Sequence, residues 1–162
     1  MSDQHVATYL NDHLAGAVVA LELLEYLEKA HPGTATARFA AGLRADIAAD
    51  RQELVDLMGR LHASASAPRK AAAWLAEKMT ELKLRVDDPA GGALRCLEVL
   101  DAVSVGIEGK RLLWRALAAA AADTPALRGP DYGCLEQRAQ EQRQRAEPVR
   151  LEAARAALGT TS

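Results

Sequence analysis

Residues 93–122 read ALRCLEVLDAVSVGIEGKRLLWRALAAAAA, and apolar side chains recur through this stretch at helical spacing. Leucine and valine occupy more than one side of the resulting helix, which is typical of a helix packed between neighbours. Two glycines, Gly91 and Gly92, precede the stretch, and a segment with proline and glycine follows it from Asp123 to Pro130. The pattern therefore predicts a long, central helix.

Four further helices are predicted from apolar stripes of the same period, with approximate bounds 4–30, 36–62, 68–86 and 131–158. His31-Pro32-Gly33 separates the first two, because proline lacks a backbone donor and disfavours a helical residue before it. A connection this short makes those helices antiparallel neighbours. Together the stripes predict an all-α fold, a single helical-bundle domain over residues 1–162.

Composition and charge exclude several classes of protein. The chain of 162 residues is 49% apolar and 26% charged, with a formal net charge of −2. This charge provides no field for nucleic acid or for an acidic membrane surface. No stretch is long and apolar enough to span a bilayer, and the polar N-terminus does not resemble a signal peptide. Cys96 and Cys134 form no CxxC pair, so we expect reduced thiols in the cytoplasm, with one buried disulfide left open.

A di-metal centre in a helical bundle usually takes Glu from two helices and Glu-x-x-His from two others. Here the motif occurs once, as Glu28 and His31 at a helix end. Carboxylates do share helix faces at the same spacing, which suits hard cations, although charged residues mostly lie in solvent. These pairs are Glu22/Glu25, Asp50/Glu53 and Glu98/Asp101.

Asp50 is an unusual carboxylate because it lies on an apolar stripe, in line with Ile47 and Leu54. If the first two helices pair across Pro32, it falls roughly level with His13. Such a pair would transfer protons or bind a metal, or it would be a hydrogen-bonded polar spot in the core.

The long helix also carries two glycines, Gly106 and Gly109, and a polar ridge formed by Asp101, Ser104, Glu108, Arg111 and Arg115. Each glycine inside a helix costs about 1 kcal/mol relative to alanine, which close packing or ligand approach would offset. We predict that Glu108 and Arg111 pair within the bundle, helped by residues around 140–143. The ridge is interpreted as a buried network, an interface or a solvent face, and its candidate binding residues are Gly106, Glu108, Gly109 and Arg111.

Two short segments, Leu10-Asn11-Asp12-His13-Leu14 and Leu113-Trp114-Arg115-Ala116-Leu117, resemble the ferritin-like superfamily, nearest to its bacterial stress-associated members. The resemblance implies a ferritin-like antiparallel four-helix bundle with an additional shorter helix. The metal-binding Glu and His positions of that family fall here near Val18, Ser104, Val105 and Ile107. These residues are not metal ligands, so the di-iron motif is not intact.

We therefore expect a non-catalytic binding protein or self-associating homo-oligomer, most simply a dimer, without a cofactor and without a competent di-iron centre. One alternative is a carboxylate-ligated iron or manganese protein, iron-handling or oxidase-like. Its candidate ligands are Asp50, Glu53, Glu108, Glu141 and His13. Another alternative is a small-molecule binder that uses the glycines and the polar ridge of the long helix.

Overall fold

The computed structural model describes residues 2–64 and 92–159, together with Ala73 and Glu77. These residues form four long helices and one 3-10 turn, with no strand among them. The helices are α1 (Ser2–Ala30), α2 (Ala35–Arg60), α3 (Ala93–Ala121) and α4 (Tyr132–Leu158), and the turn is Pro125–Leu127. Their bounds agree with the predicted ones to within two residues, the differences at Ser2 and Arg60 being the largest. The helix predicted over 68–86 lies outside the described residues, apart from Ala73 and Glu77.

Side-chain caps explain where two of the helices begin. The Thr34 hydroxyl accepts a hydrogen bond from the Ala37 N–H at 3.2 Å, at the start of α2. The Asp131 carboxylate accepts one from the Cys134 N–H at 2.9 Å, at the start of α4. Each cap satisfies a backbone donor that the first helical turn leaves unpaired. Helix α4 continues through Pro148 to Leu158.

Two apolar clusters form the core, one towards each end of the bundle. The Ile107 cluster contains Ala20, Leu23, Leu24, Leu27, Ala40, Leu43, Ile47, Cys96, Val99, Leu100, Val103, Ile107, Ala139 and Ala146. The Trp114 cluster contains Leu10, Leu14, Leu54, Leu57, Met58, Leu113, Trp114, Leu117, Leu127, Tyr132 and Leu135.

Membership of the two clusters gives the direction of each helix. Along the chain, α1 and α4 run from the Trp114 cluster to the Ile107 cluster, whereas α2 and α3 run the opposite way. Helices α2 and α3 are therefore parallel, and α3 begins at the end of the bundle opposite to the one where α2 ends. Helix α1 packs against α2 and α3, and α3 packs most extensively against α4.

Helix α3 is less enclosed than its sequence predicts. Trp114 and Ile107 are buried, but Val105 is 73% exposed and Leu112 is 50% exposed. One side of α3 thus faces outward with apolar side chains on it. No helix in the described part of the chain combines the length and apolar character that a membrane crossing requires.

Candidate functional site

A polar layer separates the two apolar clusters, and its residues come from three helices. We define it as Asp50 of α2, Lys110 of α3, and Arg138 and Gln142 of α4. The side chain of Asp50 is only 1% exposed and that of Lys110 is 13% exposed. A charged pair at this depth requires close partners, because burial removes the hydration of both ions.

Hydrogen bonds and ion pairs join the layer into one network. Lys110 Nζ donates to Asp50 Oδ2 and to Gln142 Oε1, and Gln142 Nε2 donates to Asp50 Oδ2 at 2.8 Å. Arg138 Nη2 lies 2.7 Å from Asp50 Oδ1 without the alignment of a hydrogen bond, so it contributes charge alone there. Burial lowers the pKa of Lys110, and the neighbouring Asp50 carboxylate opposes this shift.

The layer exists because three core-facing stripes carry a polar residue at the same level. Helical residues spaced three or four apart share a face. Lys110 therefore shares the face of Ile107 and Trp114, and Gln142 shares that of Ala139 and Ala146. Sequence reasoning identified Asp50 in this way but missed Lys110 and Gln142, although their spacing carries the same signal.

A cavity of about 210 Å³ lies beside the polar layer, bounded by α1, α2 and α3. The cavity is partly open to solvent, and its charged residues are Asp12, Asp50, Arg51 and Lys110, while the rest of the wall is mainly apolar. Three glycines also line it: Gly16, Gly106 and Gly109. A Cβ built on any of these glycines meets no atom within 4 Å, so packing within the described chain does not require glycine there.

Three residues of the cavity wall carry a buried polar atom that lacks a hydrogen-bond partner among the described residues. These atoms are Asp50 Oδ1, Arg51 Nε and Trp114 Nε1. A buried polar atom left without a partner typically costs about 1–3 kcal/mol, and such atoms are few in native proteins. All three atoms belong to residues of the cavity wall, and Asp50 Oδ1 has the Arg138 guanidinium 2.7 Å away. We take this cavity as the candidate site.

His13 also lines the cavity, as sequence reasoning placed it near Asp50. Its ring packs edge-on against Tyr9, with 4.6 Å between the ring centroids. Burial lowers the pKa of His13, and the nearby Asp12 carboxylate opposes the shift, so the imidazole is neutral at pH 7. The contacts of the Asp50 carboxylate go to the other members of the polar layer.

Glu108 and Arg111 pair as the sequence predicts, but at the seam between α3 and α4. Arg111 Nη2 and Arg143 Nη1 each donate to Glu108 at 2.8 Å, and Arg111 Nη1 donates to Glu136 at 3.0 Å. The hydrogen bond from Arg111 is the main cause that lowers the pKa of Glu108. The Glu108 side chain remains 33% exposed, so this part of the ridge is a surface network rather than a wall of the cavity.

The alternative metal-ligand set is not brought together. Asp50 and His13 line the cavity, Glu108 lies at the α3–α4 seam, and Glu53 and Glu141 are exposed. Gln137 Nε2 donates to Glu141 at 3.1 Å. Within residues 2–64 and 92–159, no group of three His, Cys, Asp or Glu side chains is arranged to hold a metal ion.

Comparison of the chain with protein family models, with curated proteins and with solved structures gives no match.

Proposed function

We propose that this helical bundle binds a small, largely apolar molecule in the cavity between α1, α2 and α3. The observation that carries the proposal is that three open glycines line one mainly apolar cavity, which the buried Asp50–Lys110 ion pair borders. Ligand sites are typically concave and mainly apolar, with a few convergent polar groups. The proposal assigns binding, and no catalytic step, to the site.

The glycines support binding because they lower stability without improving packing. Each mid-helix glycine costs about 1 kcal/mol relative to alanine. At Gly16, Gly106 and Gly109 the described chain gains no close approach in return. A ligand that occupies the space above these backbones would account for the absence of side chains.

Binding of toluene, a neutral apolar probe, tests the proposal by NMR shifts of the cavity residues and by calorimetry. We expect toluene to bind, and Gly109→Leu to abolish binding by filling the cavity. Gly42→Leu is the matched control, because Gly42 is an exposed helical glycine of α2 outside the cavity, also with open space around it. No binding to the wild type, or equal binding to folded Gly109→Leu, would contradict the proposal.

We also propose that the bundle is a ferritin-like one that lacks a di-iron centre. The parallel α2 and α3 support the first part, since ferritin-like bundles contain one long crossover connection. The polar layer supports the second, because the Lys110 ammonium binds the Asp50 carboxylate in the middle of the bundle. Elemental analysis of protein purified without chelator should find no stoichiometric iron or manganese. About two metals per chain, lost in Asp50→Ala, would favour the carboxylate-ligated alternative.

Self-association through the outward side of α3 is the second candidate function. Val105 and Leu112 are both exposed there, and the exposed Ala102 and Ala116 extend the same side at three- and four-residue spacing. Such spacing suits helix–helix packing. Light scattering should give a dimer that Val105→Asp dissociates, whereas Ala48→Asp on the exposed side of α2 should not. A monomeric wild type would exclude this candidate.

We also propose a reducing, cytoplasmic location for the protein. Cys96 is buried and Cys134 is exposed, and both are free thiols. Burial raises the pKa of Cys96, which keeps that thiol protonated and unreactive. Neither cysteine therefore contributes a covalent cross-link to the bundle.

A further inference from the structure

We infer that two copies of the chain pair through the outward side of α3, with their α3 helices antiparallel and the contact centred between Val105 and Leu112. The inference rests on the proposed self-association and adds the orientation and the register of the two helices. Two observations support it: the order of side-chain sizes along the outward side, and the order of charges along one edge of that side.

The side chains on the outward side of α3 are arranged almost identically in both directions. Ala102 and Ala116 lie at its two ends, and Val105 and Leu112 lie between them, all four being exposed. Antiparallel pairing about the midpoint therefore places Val105 opposite the partner's Leu112, and Ala102 opposite the partner's Ala116. The larger aliphatic side chains then meet near the centre, while the alanines let the two backbones approach each other at the ends.

Charged residues line one edge of this outward side. Asp101, Glu108 and Arg115 follow one another at intervals of seven residues, so the edge is acidic towards the start of α3 and basic towards its end. In an antiparallel pair with two-fold symmetry, this edge meets the same edge of the second copy in reverse order. Asp101 therefore faces the partner's Arg115, and the contact occurs twice. A parallel pair would set the edge against the opposite one, where Gly106 and Leu113 lie, and would leave these charges without counterparts.

Both charged groups have room for such a contact. Asp101 Oδ1 accepts a hydrogen bond from Arg150 Nη1 at 3.0 Å, and the Asp101 side chain remains 50% exposed. Arg115 Nε lies 3.7 Å from Glu136 Oε1, and the Arg115 side chain is 57% exposed. Each side chain thus has a partner within its own chain and an open side for a second one. Ion pairs of this kind at the rim of an interface fix its register.

Glu108 lies nearest to the two-fold axis, where it approaches the partner's Glu108. Arg111 Nη2 and Arg143 Nη1 each donate to its carboxylate at 2.8 Å. Two cations therefore accompany each of these carboxylates, and the two like charges do not oppose the pairing.

Disulfide trapping tests the orientation, in a Cys134→Ser background that removes the exposed native thiol. We expect mixed Ala102→Cys and Ala116→Cys proteins to form a cross-linked dimer on oxidation, and neither protein to do so alone. Antiparallel helices separate identical positions by about 20 Å along the axis, at about 1.5 Å per residue, whereas a disulfide joins Cα atoms at most about 7 Å apart. Ala48→Cys, on the exposed side of α2, is the control and should cross-link with neither protein.

Charge reversal tests the register, with the dimer dissociation constant measured by analytical ultracentrifugation. Arg115→Glu should weaken the dimer by about tenfold, because two rim ion pairs are lost at once. Asp101→Arg combined with Arg115→Glu should restore most of the affinity. Arg155→Glu is the matched control, because Arg155 is exposed on α4 and pairs with Glu152 of its own chain. It should leave the dimer unchanged.

The outcomes separate the arrangement from self-association itself. Cross-linking of either cysteine variant alone would show a parallel pair and overturn the inference. A dimer that forms no cross-link in the mixture, or no recovery of affinity in the double charge variant, would also overturn it while leaving self-association in place. A monomeric wild type would overturn the proposed self-association.

Discussion

The Lys110 ammonium and the Asp50 carboxylate form an ion pair in the centre of the bundle, between two apolar clusters. The two residues come from α3 and α2, which run parallel. Gln142 of α4 bonds to both of them. The pair therefore ties together helices that contribute few other contacts to one another, and its removal should affect the whole fold.

The first prediction is that Asp50→Ala strongly destabilises the protein. The variant leaves Lys110 and Arg138 next to each other without their counterion, and removing one member of a buried pair typically costs about 3–5 kcal/mol. Asp50→Leu combined with Lys110→Met should recover much of this loss. Urea denaturation measures both effects.

The control for this prediction is Asp46→Ala. Asp46 lies on α2, as Asp50 does, and forms an exposed ion pair with Arg145 of α4. Its removal should therefore cost at most about 1 kcal/mol. Equal costs for Asp50→Ala and Asp46→Ala would show that the central pair contributes no more than a surface one.

The second prediction concerns the three glycines of the cavity. Gly16→Ala, Gly106→Ala and Gly109→Ala should each raise the free energy of unfolding by about 1 kcal/mol, because the new methyl group enters open space and alanine favours the helix. Gly42→Ala should stabilise the protein equally. Only the first three should weaken binding of toluene. Loss of stability in those three would show that the space above them is not open.

The third prediction is a modest effect for Glu108→Gln. Its partner Arg111 retains Glu136 at 3.0 Å, and the Glu108 side chain is partly exposed, so the loss should be about 1 kcal/mol or less. The folded-state pKa of Glu108 is lowered, so its ion pairs contribute fully to the stability of the fold above about pH 4.3, the pKa of an unfolded glutamate. This contribution is lost as the pH falls through the folded-state pKa. Denaturation curves of variant and wild type should therefore converge in acid. A loss of several kcal/mol at neutral pH would indicate a buried pair instead.

The fourth prediction is that His13 makes the protein less stable in mild acid. Burial lowers the folded-state pKa of His13, so the unfolded chain binds its proton first as the pH falls below about 6.5. Its contribution to stability is therefore complete above that value and is lost as the pH falls through the folded-state pKa. His13→Gln should flatten the change in unfolding free energy between pH 7.5 and 5. The control His5→Gln, at an exposed position of α1, should not.

Most of the helix bounds could be predicted from sequence, because proline, glycine and capping residues end the apolar stripes where the helices end. Pro32 and Gly33 separate α1 from α2, and Asp131 caps α4. The partners of Asp50 could not be predicted in the same way. A stripe shows which face of a helix is buried, but it does not give the level at which two distant helices meet. The sequence therefore suggested His13 from the adjacent helix, whereas the structure brings Lys110 and Gln142 from α3 and α4.

For a similar reason, the sequence did not show that the two glycines and the two charged residues proposed as one binding site on α3 lie on different surfaces. Gly106 and Gly109 line the cavity, while Glu108 and Arg111 lie at the α3–α4 seam. Successive residues of a helix turn by about 100°, so a run of polar and small residues contributes to different surfaces. Which surface receives each residue depends on the neighbouring helices.

The polar layer also has a consequence for how the four helices align. Apolar side chains alone tolerate several alignments, since leucine packs against leucine at many levels. A shift of α3 by one turn would move the Lys110 ammonium away from Asp50 and into the Ile107 cluster or the Trp114 cluster, where no carboxylate of the described core could receive it. Polar residues inside helical assemblies can specify register in this way, at a cost in stability. The four side chains of the polar layer, two of which border the cavity, would thus select a single axial alignment of the helices.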